Sequence, residues 1–242
     1  MDEANASPLS LWERVRVRAA GDSVSASSPQ TPSPPAPLPE GEGSFLRLSR
    51  GPVPATDGEA SCSRFLALLA EFYESLPEPP TIDVAFVPAE SLPQPQRGLL
   101  VHVNDMTSTL ARHYGEPIAL KVLDRHEGPQ WYRRHIVLET VGIPGGGSRR
   151  PVEYGAMRIL LPRLSEAARQ EVLAAQTPLG GVLARHGLAY RHCPGGFFKI
   201  RANRVIEQAF GLAGSPWLYG RCNCMSDNAG HVIAEVIEIL PP

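Results

Sequence analysis

From about Ala60 onward the apolar positions of this chain fall into regular periods; before it they do not. In "SCSRFLALLAEFYESL" the residues Phe65, Leu68, Leu69, Phe72 and Leu76 recur at helical spacing and stop at "PEPP", which predicts an amphipathic helix. "GLLVHVNDMTSTLARHYG" reads as a brief apolar run followed by a helix opening near "DMTS" and stopping at Gly115. The period then changes to two. "PIALKVLDRHE", "QWYRRHIVLETVG" and "RRPVEYGAMRILLPRL" read as strands, and the glycine-rich "IPGGGSRRP" between the last two predicts an antiparallel hairpin with a flexible tip. "LSEAARQEVLAAQ" predicts a helix capped by Ser165, and "PLGGVLARHGL" a shorter one closed by Gly187. "PWLYGRCNCMSD", a turn at "NAG" and "HVIAEVIEILPP" return to strands, and no internal repeat is visible. Strands joined by short turns, with helices grouped between them, predict an α+β domain on an antiparallel sheet.

One strand raises a question of charge. In "PQWYRRHIVLE" Tyr132, Arg134, Ile136 and Leu138 fall on one face, and Trp131, Arg133, His135 and Val137 on the other. Each face mixes large apolar groups with a cation. In "HVIAEVIEIL" both faces are apolar except for Glu235 and Glu238, which lie on opposite sides. Carboxylates and arginines among strands buried on both faces point to an internal polar pocket. The bland alternative is a strand arginine in an ordinary buried or rim ion pair. Likewise, Met106 could be a plain core residue and His135 a hydrogen-bonded core histidine.

Composition narrows the rest. The chain has 242 residues and a formal charge of −2, so no general pull toward nucleic acid or an anionic membrane is expected. No stretch reaches the roughly 18 apolar residues of a membrane span, and the N-terminus lacks a secretory pattern. The expected location is therefore cytoplasmic. Cys62, Cys193, Cys222 and Cys224 are few and irregularly spaced, which argues against a disulfide scaffold. Cys222-x-Cys224 without a second ligand pair is a poor metal site, so no metal is expected. Residues 1–55 contain "SVSASSPQTPSPPAPLPEGEG", too poor in large apolar groups to offset the entropy of ordering, and are expected to be disordered; residues 56–242 form the domain. "SPLSLWERVRVRAAG" together with "PAPLPEGEG" resembles peptides translated by chance from interspersed palindromic repeats of bacterial genomes. The competing reading is a short amphipathic docking helix with Trp12 and Val15 on its apolar side.

Four separated pieces, "DMTSTL", "WYRRHIVLE", "TPLGGVL" and "LYGRCNCMSDNAGHVIAEVIEILP", resemble in order the landmarks of chorismate pyruvate-lyases and the wider chorismate-lyase-like family, across Val101 to Pro242. The resemblance implies a compact antiparallel sheet whose helices form flaps over an enclosed ligand pocket. It also implies site residues. Met106 and Leu179 would meet the ligand through their backbones, Arg134 would grip a carboxylate, and a glutamate would act with it. Counting from Gly230 favours Glu238 for that glutamate, at the expense of a single-residue bulge in the hairpin; matching the local sequence favours Glu235 as the alternative. The "GIPGGGSRR" hairpin is longer than the family's, and "CNCM" replaces a more basic strand.

The implied chemistry is elimination of pyruvate from chorismate to a hydroxybenzoate, a step of the ubiquinone-biosynthesis kind that needs no redox or metal cofactor. It calls for an arginine fork on a carboxylate and a carboxylic acid whose pKa burial raises. The alternative is a sensor-like protein of the same fold that binds a small aromatic or cyclohexadiene carboxylate without turnover. Regulators of that kind carry a winged helix-turn-helix in front, which the Pro/Ser-rich segment is not expected to form, so this alternative is a stand-alone sensor or an inactive relative. A third reading is an accessory protein meeting a partner through its Trp217/Tyr219 strand. The expected partner is the small carboxylate alone, bound by a monomer with no nucleic acid.

Overall fold

A computed structural model describes residues 46–48, 57–142 and 148–242. The rest of residues 1–55 and the tip of the "IPGGGSRRP" hairpin lie outside the described residues, and with them the expected disorder and flexibility. In chain order the elements are β1 (Leu46–Leu48), α1 (Asp57–Tyr73), β2 (Ile82–Val87), α2 (Gln96–Leu100), α3 (Met106–Tyr114), β3 (Ile118–Glu127), β4 (Trp131–Thr140), β5 (Pro151–Leu160), α4 (Glu166–Ala174), α5 (Leu179–Arg185), β6 (Arg191–Arg201), α6 (Arg204–Phe210), β7 (Trp217–Ser226) and β8 (Val232–Leu240). The described strands form one sheet in the order β1-β2-β6-β7-β8-β5-β4-β3. β1 runs parallel to β2, and every other neighbouring pair is antiparallel. The fold is therefore α+β on an antiparallel sheet.

Both faces of the sheet are covered, which explains why β8 is almost continuously apolar. On one face Phe65, Leu68, Leu69 and Phe72 of α1 and Ile206 of α6 pack with Val137, Tyr154, Phe198 and Ile237 of the sheet. On the other, Met106 and Leu110 of α3, Val172 of α4 and Leu179, Val182 and Leu183 of α5 pack over Tyr132, Ile136, Ile159 and Val236. The helix starts are set locally. Asp105 accepts from the Ser108 amide at 2.8 Å, Ser165 from the Ala168 amide at 3.3 Å, and Asn203 from the amides of Val205 and Ile206. Gly115 ends α3 in the left-handed conformation, φ +67°.

Three elements depart from the pattern reading. Ile82–Val87 and Arg191–Arg201 are strands, and Arg204–Phe210 is a helix. Pro194, Gly195 and Gly196 disguise β6, and the sheet absorbs them: the ladder with β7 shifts between Pro194 and Gly196. β2 reaches along β6 only as far as Phe197, so among the described residues the proline has a strand neighbour on one side alone. Gly220 of β7 is required by close approach. A Cβ there would stand 2.5 Å from the Phe198 ring and 2.5 Å from the Glu238 carbonyl oxygen.

The face away from α3 holds His135, stacked on Phe72 with ring centroids 4.9 Å apart and edge-on to Tyr154 at 4.6 Å. Burial lowers its pKa to about 4 from 6.5. A depressed histidine pKa means that the unfolded chain takes up the proton first. Stability is therefore full above the unfolded value and falls as pH drops from 6.5 toward 4. Between pH values of about 7.5 and about 5 this group alone should remove on the order of 2 kcal/mol. Urea unfolding at those two pH values should show that loss in the native chain, and a smaller one in His135→Phe.

Candidate functional site

The second face of the sheet encloses a cavity between β4, β5, β8 and β7 below and the starts of α3 and α5 above. Sheet register sets its floor. Arg134 pairs with Met157, Met157 with Val236 and Val236 with Asn223, so these four form one row across the strands. The next row is Ile136, Gly155, Glu238 and Arg221. Side chains directly opposed in a ladder share a face, and Arg134, Ile136, Met157, Asn223, Val236 and Glu238 all line the cavity. Glycine at 155 leaves floor space, and a Cβ there would stand 3.3 Å from Glu153 Oε1.

Met106 and Leu179, both buried, close the roof at the first residues of α3 and α5. The two helix starts touch. A Cβ on Gly180 would come within 2.5 Å of Asp105 Oδ1 and 2.9 Å of the Tyr190 hydroxyl oxygen, so only glycine lets them meet this closely. Closed in this way, the cavity holds about 40 Å³. That is room for a water or two, so a ring-sized ligand enters only if the roof lifts.

Arg134 is fully buried. Its Nε donates to the Met157 sulfur at 3.1 Å, and its Nη1 and Nη2 have no hydrogen-bond partner among the described residues. Burial lowers its pKa to about 10, which still leaves it charged at neutral pH. Arg133 points to the opposite face and pairs with Glu71 of α1.

The two glutamates of β8 separate as their spacing requires. Glu238 lines the cavity and accepts from Arg221 Nε, its cross-strand neighbour. Glu235 lies on the other face, accepting from Arg158 Nε at 3.0 Å with Arg64 at 3.4 Å. A register shift between Met225 and Ser226 in the β7–β8 hairpin accompanies this arrangement.

Several polar residues in or beside the cavity were given no role by the sequence reading. Arg221, fully buried, donates from Nη1 to the carbonyls of Leu100 and His102 at 3.0 Å, tying the root of the roof to the sheet. The quoted "LYGRC" contained it, but its partners depend on register. Glu153 is buried with Oε2 unpartnered among the described residues. Burial raises its pKa well above 4.5, Glu238 and Asp105 add to that, and Arg221 opposes it. Asn223 Nδ2 donates to His192 Nδ1 at 2.8 Å. Burial lowers the His192 pKa. His192 Nε2 and Asn223 Oδ1 have no partner among the described residues.

The charges do not cancel within the cavity. Arg221 has Glu238, Glu153 is held toward its neutral form, and Arg134 has no carboxylate partner among the described residues. Asp105 stands at the rim, where its Oδ2 is occupied by Ser108. Among the described residues no cluster of histidine, cysteine and acidic side chains is arranged to hold a metal ion, and no helix is long and apolar enough to cross a membrane.

No protein-family model matches the chain, and no curated protein matches it. Among solved structures, PhnF from Mycobacterium smegmatis is similar at a TM-score of 0.46 and 12% identity, over 58% of this chain and 64% of that one, just under two thirds of its length. The effector domain of PhnF alone gives 0.45 and 12% over 56% and 87%. The ligand-binding domain of a putative GntR-family transcriptional regulator from Bordetella bronchiseptica gives 0.39 and 10% over 51% and 85%. The expectation of a lyase that releases pyruvate and hydroxybenzoate in a ubiquinone-type pathway is corrected here. The names those matches carry are an effector domain and the ligand-binding domain of a putative transcriptional regulator, and none is a lyase.

Proposed function

We propose that the cavity binds a small aromatic or cyclohexadiene carboxylate and that the protein works as a sensor-like binding module, returning its ligand unchanged. The observation that carries this reading is Arg134: a fully buried guanidinium whose Nη1 and Nη2 have no partner among the described residues. An uncompensated charge in such a place costs several kcal/mol, on the order of 3–5, and a bound carboxylate removes that cost with two charge-assisted hydrogen bonds. The lining beside it is apolar: Ile136, Leu138, Met157, Leu179 and Val236 suit the faces of a ring.

Turnover would require a proton donor engaged with the ligand's reacting bond, and Glu238 is already committed to Arg221. Glu153, held toward its neutral form, has a hydrogen bond to offer a ligand oxygen. The test is proton NMR of 4-hydroxybenzoate and of chorismate with stoichiometric protein. Saturable line broadening with both compounds recovered intact is expected. Failure of either to bind, or release of pyruvate faster than in buffer, would overturn the reading.

A further inference from the structure

The face of β6 and β7 turned away from the cavity carries two thiols in register. Cys193 is directly opposite Cys224 in the antiparallel ladder. Cys193 Sγ lies 3.7 Å from Ser226 Oγ, and Ser226 is two residues beyond Cys224, so both cysteines point to the same side. Cys193 is exposed, Cys224 is half-buried, and both are free thiols.

Opposed residues of an antiparallel pair have Cα atoms about 4.5–5.5 Å apart, inside the roughly 4.4–6.8 Å that a disulfide spans. Their Cβ atoms stand about 4.5–5.5 Å apart and would have to close by about 1 Å. β6 has the slack for this. The ladder shifts register between Pro194 and Gly196, directly after Cys193, and on its other side β6 has no partner before Phe197 among the described residues.

We propose that Cys193 and Cys224 form a reversible disulfide site, oxidised by hydrogen peroxide and reopened by a dithiol. The exposed Cys193 thiolate attacks one peroxide oxygen, the O–O bond breaks, and hydroxide leaves as water after taking a proton. The Cys193 sulfenic acid that results is attacked by Cys224 sulfur, which loses its proton as the second water departs. Two thiols thus give up two electrons and two protons, and one peroxide becomes two waters. Burial raises the Cys224 thiol to about 11, which suits it to the second step and not the first. A bond closed against the sheet's own spacing is strained and so readily reduced, which makes the site reversible. The clamp would join the two strands that carry His192 and Asn223 at the polar end of the cavity.

The experiment uses the full chain, freed of reductant and exposed to a few equivalents of hydrogen peroxide. Free thiols are counted by a chromogenic disulfide and peptides mapped by mass spectrometry. Two of the four thiols should disappear, a peptide linking Cys193 to Cys224 within one chain should appear, and dithiothreitol should restore both. Cys193→Ser and Cys224→Ser should each abolish the link, and Cys62→Ser should keep it; circular dichroism checks that each variant is folded. Cross-links between chains, a different pairing, or Cys193 passing to sulfinic acid with no link would overturn the proposal. None of these readouts depends on a ligand, so the site stands or falls separately from the carboxylate reading.

Discussion

Arg134→Met is expected to make the free protein more stable and to abolish its binding of carboxylates. The two effects have one cause. The guanidinium is fully buried, and among the described residues the Met157 sulfur is its only side-chain partner. Replacing buried charge by an apolar side chain of similar volume is commonly stabilising by about 1–4 kcal/mol. The same change leaves a carboxylate in an apolar chamber without its counter-charge, at a cost of about 2–5 kcal/mol, or roughly 30- to several-thousand-fold in affinity. Lysine should restore affinity only in part, because a point charge does not reproduce the planar fork. Arg133→Ala is the control. Its partner is Glu71 on the opposite face, and its effect on ligand affinity should be below about 1 kcal/mol. Urea unfolding and ligand titration of the three variants check this together. Loss of stability in Arg134→Met, with affinity retained, would make Arg134 a structural residue.

The second large effect is expected at Glu238. Glu238→Gln leaves Arg221 as a buried charge without its carboxylate, although the two carbonyls from the roof still accept from it. Breaking one partner of such a pair typically costs about 3–5 kcal/mol. The roof is tied to the sheet through the same arginine, so ligand affinity should fall as well. Glu235→Gln should be milder. Its partners Arg158 and Arg64 keep a quarter and a half of their side chains exposed, and solvent screens what remains, leaving about 1 kcal/mol or less. Denaturant midpoints of the two variants, measured side by side, decide this. Equal losses, or a larger loss at Glu235, would reverse the assignment of the principal buried ion pair.

These contrasts show what the chain's pattern could and could not reveal. Alternation along β4 was enough to place Arg134 and Arg133 on opposite faces, because a strand's period leaves no other choice. The helices α1, α3, α4 and α5 were legible from apolar spacing, from the start signal at "DMTS" and from the cap at Ser165. β6 was not legible, because Pro194 and two glycines look like a loop until a register shift in the ladder makes room for them. The polar floor was the least legible. Arg221, Glu238, Glu153 and Asn223 meet where β5 pairs with the β7–β8 hairpin, a segment far from it in sequence. Their encounter depends on ladder register, and a one-residue shift at Met225/Ser226 is the sort of detail that composition does not carry. Glu153 in particular is one carboxylate in a hairpin strand, and nothing in its local sequence marks it as buried.

The central claim is that the cavity recognises a carboxylate through Arg134, and isothermal titration of 4-hydroxybenzoate against 4-hydroxybenzamide measures it most directly. The two ligands have nearly the same shape and differ in charge at the end that Arg134 would hold. The acid should bind one per chain, and the amide at least about 30-fold more weakly, the value of one lost charge-assisted contact. Equal affinities, or a preference for the amide, would contradict the account.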